Sequence, residues 1–143
     1  MPLTQHYTLT ETAENDLLEA RRWSEGRWGK RLTRQYFREL HEAANFCALN
    51  QQAIAQRDDL AGGSGLLIHP VREHYLIFLP TTCNHIIIVS VLRQGRDIPE
   101  ILKRASFMLK REVDRITQLI GNGEITINHR AWKAPGKHAS ERK

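Results

Sequence analysis

Apolar residues recur along this chain at two spacings, and the switch between them predicts most of the elements. Gln5–Leu9 alternates in the manner of a short strand. Thr10 then offers an N-cap hydroxyl, and Glu11 and Glu14 fall where a helix dipole favours negative charge. Ala13, Leu17 and Ala20 recur at helical spacing, and Gly26 and Gly29 flank a short break. From about Gly29 to Leu49 the stripe resumes as Leu32, Tyr36, Leu40, Ala43 and Cys47, all on one face. Two amphipathic helices joined so closely predict an antiparallel hairpin.

A polar connection, Asn50–Gly65, separates the hairpin from three strand-like runs: Leu66–Val71, His74–Leu79 and Asn84–Leu92. Arg72 and Glu73 form a two-residue turn between the first two runs, and Pro80–Cys83 a looser one after the second. The third run is β-branched and apolar on both faces, as a strand covered on both sides must be. Gly95 ends it. Asp97 can cap the next helix, Glu100 completes a capping box, and Pro99 is tolerated in the first turn. Its stripe of Ile101, Ala105, Met108, Val113, Ile116 and Leu119 runs on to Gly121-Asn122-Gly123. Glu124–His129 has the pattern of one short extra strand. The expected fold is α+β, ordered β-α-α-β-β-β-α. A helical hairpin packs on one face of a four-stranded antiparallel-type sheet, with the first strand antiparallel to a later one. Some twenty helical residues span ~30 Å and a typical strand ~17–20 Å. The distal part, Val113 to Ile120, is therefore expected to project with apolar residues exposed and to contact a second copy or a helix-binding groove of a partner. A bend at Ser106 that folds it back is the alternative.

At 143 residues, with 41% hydrophobic and 26% charged positions, the chain suits one self-sufficient core. Two cysteines do not make a disulfide framework, no apolar run approaches a membrane span, and the first residues lack a signal-peptide pattern. A cytoplasmic protein with no membrane partner is expected. Residues 129–143 carry five Lys and Arg against one acid, while residues 1–128 are nearly balanced. That basic end reads as a disordered, solubilising tail or as a contact for nucleic acid.

Ordinary catalytic chemistry finds little footing. The seven histidines include no metal-ligand spacing, and no C-x-x-C occurs. Cys47 belongs to an apolar face, and Cys83 has no helix N-terminus beside it to activate the thiol. Gly62-Gly63-Ser64-Gly65 is followed by a strand rather than by the lysine, hydroxyl and helix of a phosphate loop. No cofactor or metal is expected. What remains is a basic group where the last strand meets the helix: Arg93, Arg96, Lys103 and Arg104, with Arg72 on the turn. It reads as a solvated surface or as a contact for an acidic protein or a phosphate backbone.

The segments "LLIHPVREHYLIFLP" and "HIIIVSVLRQGRDIPEIL", after a helical hairpin opening with Leu9, Ala13, Asp16-Leu17, Glu19-Ala20 and Arg27-Trp28-Gly29, resemble the RelE/ParE toxin superfamily of type II toxin–antitoxin modules. The ParE branch is most similar, over roughly residues 4–110. Gln94 stands where that branch usually has histidine, Leu79 where tyrosine or arginine is common, and the chain continues beyond the usual end. The resemblance implies a toxin that inhibits DNA gyrase and is neutralised by a cognate antitoxin. An alternative is a RelE-like mRNA endonuclease working on the ribosome, for which His74 and Lys103 are the weak catalytic candidates. A non-toxic antitoxin-binding module is the third reading. Target contact is assigned to Arg72, Arg93, Arg96 and Arg104. A partner interface, including a homodimer contact, is assigned to Ile101, Ala105, Met108, Val113, Ile116 and Leu119. The expected units are a toxin domain at 1–110, a helical extension at 111–128 and the tail at 129–143.

Overall fold

A computed structural model describes residues 5–81, 83–125 and 127. The chain runs β1 (Tyr7–Leu9), α1 (Glu11–Leu49), a 3-10 turn at Gln51–Ala53, α2 (Asp58–Ala61), β2 (Leu67–Val71), β3 (His74–Leu79), β4 (Ile86–Arg93) and α3 (Ile98–Gly121). The 3-10 turn and α2 fall in the stretch expected to be plain connection. α1 is the expected hairpin, with its single reversal at Gly29 (φ 84°, ψ 173°), a backbone region open essentially to glycine alone. Gly26 lies within the helical first arm.

The sheet order is β1-β4-β3-β2. β2, β3 and β4 form the expected antiparallel meander, but β1 pairs with β4 in parallel, Tyr7 opposite Ile86 and Leu9 opposite Ile88. This corrects the antiparallel expectation, and the reason is one of parity. The two arms of α1 carry the chain away and back, so β2 sets out in the direction of β1. Two further reversals leave β4 parallel to it.

β4 is the centre of the molecule, with seven of its eight residues buried. One face of the sheet packs on α1 through Ile86, Ile88, Val91 and Phe78 against Ala13, Tyr36, Leu40, Ala44 and Cys47. The other packs on α3 through Ile68, Ile77, Ile87, Val89 and Leu92 against Ile98, Leu102, Leu109, Val113, Ile116 and Ile120. Strict alternation along β4 breaks where the register against β3 shifts between Ile77 and Phe78, leaving Val89 as the extra residue of a bulge. Because of it, Ser90 and Val91 both address the hairpin side.

β1 is five residues shorter than β4, so β4 outruns its parallel neighbour, and α1 meets the surplus backbone groups. Thr10 N–H donates to Ile88 O (3.0 Å), and Thr10 Oγ1 donates to Val89 O (2.9 Å) while accepting from Ala13 N–H (3.0 Å). Asp16 accepts from Val91 N–H (3.0 Å) and Ser90 Oγ (2.6 Å). One threonine thus caps the helix and completes the strand.

α3 departs from the expected projection. It passes 110–111 and Ser106 without interruption, and Val113, Ile116 and Ile120 are buried at 8%, 6% and 0% exposure. The second face of the sheet needs a cover that the hairpin cannot supply, and the distal stripe provides it. Glu112 fixes the path by accepting from Thr12 N–H (2.6 Å) and Oγ1 (2.7 Å), which meets an otherwise orphaned donor at the start of α1. Of the residues assigned to a partner, Val113 and Ile116 are therefore internal, Ile101, Ala105 and Leu119 are half-buried, and Met108 is exposed. Phe107 beside it is exposed at 74%. Glu124 and Ile125 close the end of α3 through Leu119 O; most of the strand expected at 124–129 and the whole basic tail lie outside the described residues.

Thr10→Val keeps the shape but removes the cap and the bond to Val89 O; urea denaturation is expected to show a loss of about 2 kcal/mol. Gly29→Ala is expected to cost about 1–3 kcal/mol although its Cβ would meet nothing, because the backbone region itself excludes a side chain. Gly26→Ala, in the same melts, should instead stabilise by up to about 1 kcal/mol.

Candidate functional site

The end of the sheet nearest the hairpin elbow holds a small cleft of about 190 Å³ lined by Asp16, Glu19, Trp23, His74, Arg93 and Arg96. Four segments build it. The first arm of α1 supplies Asp16, Glu19 and Trp23 at near-helical intervals. β3 opens with His74, β4 ends with Arg93, and the turn into α3 carries Arg96.

Its floor is His74, 3% exposed. Tyr36 Oη donates to Val71 O (2.9 Å) and stands 2.7 Å from His74 Nδ1, so the ring donates Nδ1–H to the phenol oxygen. Trp23 meets the ring edge-on at 5.6 Å, and Trp28 packs against both Trp23 and Tyr36. Burial first, then the Arg93 charge, lowers the His74 pKa, and burial pushes the Tyr36 phenol up to about 12. Both groups are neutral structural partners near neutral pH. The cleft wall carries both signs, Asp16 and Glu19 against Arg93 and Arg96; the Arg93 guanidinium lies 5.4 Å from the Trp23 ring centre, and Arg27, outside the cleft lining, 5.2 Å from the same ring. Burial raises the Asp16 pKa, while its bonds to Ser90 and Val91 and the nearby Arg96 oppose that shift.

Of the four arginines assigned to target contact, the fold gathers Arg93 and Arg96. Arg72 sits across the turn, its guanidinium bound to both carboxylate oxygens of Glu39, and Arg104 pairs with Glu100 one helical turn away (2.9 Å). Gln94 has a visible task in the position usual for histidine. Its amide donates to Arg72 O (2.7 Å) and His74 O (3.1 Å), holding a turn in which Arg72 takes the left-handed backbone (φ 51°) without being glycine. The weak catalytic candidates are not assembled: His74 is sealed beneath aromatic rings, and Lys103 is exposed on α3.

Sequence reasoning missed Asp16, Trp23 and Tyr36 as site builders. A carboxylate three residues after Ala13, on the helix face that turns inward, was the available signal for Asp16. Three other described histidines are occupied separately, His41 Nδ1 with Tyr7 Oη (2.8 Å), His69 against Phe46 and His85 Nε2 with Thr8 Oγ1 (2.8 Å). Among the described residues no group of three His, Cys, Asp or Glu is placed to hold a metal ion, and no described helix is long and apolar enough to cross a membrane. Cys47 and Cys83 are both buried, and burial pushes the Cys47 thiol up to about 12.

A helical hairpin against a four-stranded mixed sheet is the RelE/ParE-like fold. The family model described as "ParE toxin of type II toxin-antitoxin system, parDE" matches residues 7–98, and the chain belongs to that family. No curated protein matches the chain. Among solved structures, a chain of the chromosomal ParDE TA system from P. aeruginosa has a similar fold, with a TM-score of 0.51 and 14% identity over 62% of this chain and 95% of that one.

The buried histidines generate a pH prediction. Burial, with a smaller push from His6, lowers the His85 pKa to about 4, below its unfolded value of about 6.5. Between these values the unfolded chain takes up a proton that the folded chain refuses. Stability is therefore expected to fall as pH drops from about 6.5 towards about 4, with His74 acting in the same direction. Urea midpoints across this range check it: His85→Gln should flatten the slope, and a variant with an unchanged slope counts against the assignment.

Proposed function

We propose that this ParE-family toxin acts on DNA gyrase through the cleft around Arg93 and Arg96, and that a cognate antitoxin neutralises it in the cytoplasm. The observation that carries the target assignment is the state of His74. General acid–base cleavage of RNA needs a titrating group within hydrogen-bond reach of the scissile phosphate. His74 is buried, neutral and committed to Tyr36, and Lys103 lies on a different element. The cleft instead offers guanidinium groups backed by a rigid indole, a surface suited to an acidic protein partner. Family membership supports the gyrase reading over the ribosomal one. For the antitoxin, the exposed pair Phe107 and Met108 borders a groove of about 1280 Å³ between α3 and the start of α1. With Val113 and Ile116 turned inward, this groove offers exposed α3 surface to that partner.

The test is expression without antitoxin, paired with supercoiling assays on the purified chain. Growth arrest with DNA-damage signals and inhibition of gyrase are expected. Arg93→Ala with Arg96→Ala should reduce both at least about tenfold, a loss of about 1.4 kcal/mol in target binding, while stability stays within about 0.5 kcal/mol. Translation arrest with cleaved mRNA would establish the ribosomal alternative, and absence of either effect a non-toxic antitoxin-binding module.

A further inference from the structure

The elbow of the helical hairpin carries far more positive charge than the fold uses: Arg21 lies over the Phe37 ring (4.4 Å) and Arg27 over the Trp23 ring (5.2 Å), and the remaining cations make no such contact among the described residues. Residues 20–38 hold seven cations, Arg21, Arg22, Arg27, Lys30, Arg31, Arg34 and Arg38, against the single acid Glu25. Their excess of six is larger than the +5 of the entire chain. All seven are exposed, and none makes an ion pair among the described residues, where the bridges are Arg57–Asp59, Arg72–Glu39 and Arg104–Glu100. Lys30, Arg34 and Arg38 form a row at i, i+4 and i+8, rising about 6 Å per step. Thr33, Tyr36 and Leu40, on the inward side of the same arm, do the packing. Like charges at this spacing destabilise a helix by some tenths of a kcal/mol per pair. Glu39 and Glu42 share a groove with Arg31, Arg34 and Arg38, but Glu39 is bound to Arg72, so the row keeps an excess of positive charge that a bound polyanion offsets.

We propose that the elbow binds the phosphate backbone of duplex DNA without reading its sequence. Six of the seven cations are arginine, whose planar fork suits phosphate oxygens. Single-stranded nucleic acid would need free aromatic faces on which bases stack. Trp23 is flanked by Arg27 and Arg93, and Trp28 is packed edge-on between Trp23 and Tyr36. An acidic peptide would need apolar anchors beside the charges, and Leu32, 42% exposed, is the one large apolar side chain exposed on this stretch. The contact goes beyond the gyrase reading, because it requires no protein partner.

Fluorescence anisotropy of the full chain with a short labelled duplex, between about 50 and 200 mM salt, tests this. Binding is expected, with log affinity falling against log salt at a slope of about −4. The triple variant Arg31→Ala, Arg34→Ala, Arg38→Ala should lower affinity at least tenfold and make the slope shallower by about 3, with an unchanged circular dichroism spectrum. If that variant fails to fold, the same three positions changed to Gln carry the same expectation. An equal loss of charge in the tail, Arg130→Ala, Lys133→Ala, Lys137→Ala, should have the smaller effect. No binding at the lowest salt would overturn the proposal. So would a tail variant that loses as much as the elbow variant, or tighter binding to duplex RNA or to polyglutamate than to DNA.

Discussion

Everything in this molecule is arranged around a central strand that outruns its neighbour. β4 is buried on both faces and along its length, so each of its backbone groups must find a partner inside the protein. β3 serves one edge. On the other, β1 reaches only to Leu9, and the remaining groups are met by Thr10 and Asp16 from the first turns of α1. The hairpin is thereby tied to the sheet by directional bonds as well as by its apolar face, and its first arm has little freedom to slide. The bulge at Val89 belongs to the same arrangement. It turns Ser90 and Val91 N–H to the side where Asp16 waits, and the carboxylate accepts from both.

The position of the cleft follows from that tie. Because Asp16 is fixed over the end of β4, residues one and two turns further along the arm, Glu19 and Trp23, overhang Arg93 and His74. The aromatic set beneath them, Trp23, Trp28, Tyr36 and His74, then locks the elbow against the β2–β3 turn. The result is a rigid platform with guanidinium groups outside, the Asp16 carboxylate bound to the end of β4, and His74 and Tyr36 buried and neutral.

Charge is distributed along the hairpin with a strong bias. The first arm opens with Glu11, Glu14, Asp16 and Glu19, and the elbow carries the cations. Glu112, from α3, adds another carboxylate beside the helix start, where the dipole favours it. The acidic end is thus engaged in folding, through the dipole, Thr12 and the strand end. At the basic end only Arg21 and Arg27 are engaged, each over an aromatic ring, and none of the cations makes an ion pair among the described residues, which is why a partner for the rest is sought outside the chain.

The sequence by itself determined the local architecture: a capped helix after Thr10, a break between Gly26 and Gly29, a three-strand meander between residues 66 and 92, and a helix begun by Asp97. These rest on periodicity, capping and backbone freedom, all of which act over a few residues. It also carried enough family pattern to point to the ParE toxins. Three matters were settled only by the tertiary structure. The parallel pairing of β1 depends on counting reversals across some seventy-five residues, and no local signal encodes it. The fate of Val113 and Ile116 depended on whether the second face of the sheet had another cover; an apolar stripe is identical in sequence whether it faces a partner or its own core. The composition of the cleft depended on Asp16 reaching β4 across seventy-four positions of sequence. Periodicity reports which side of an element is apolar, and packing alone decides what that side meets.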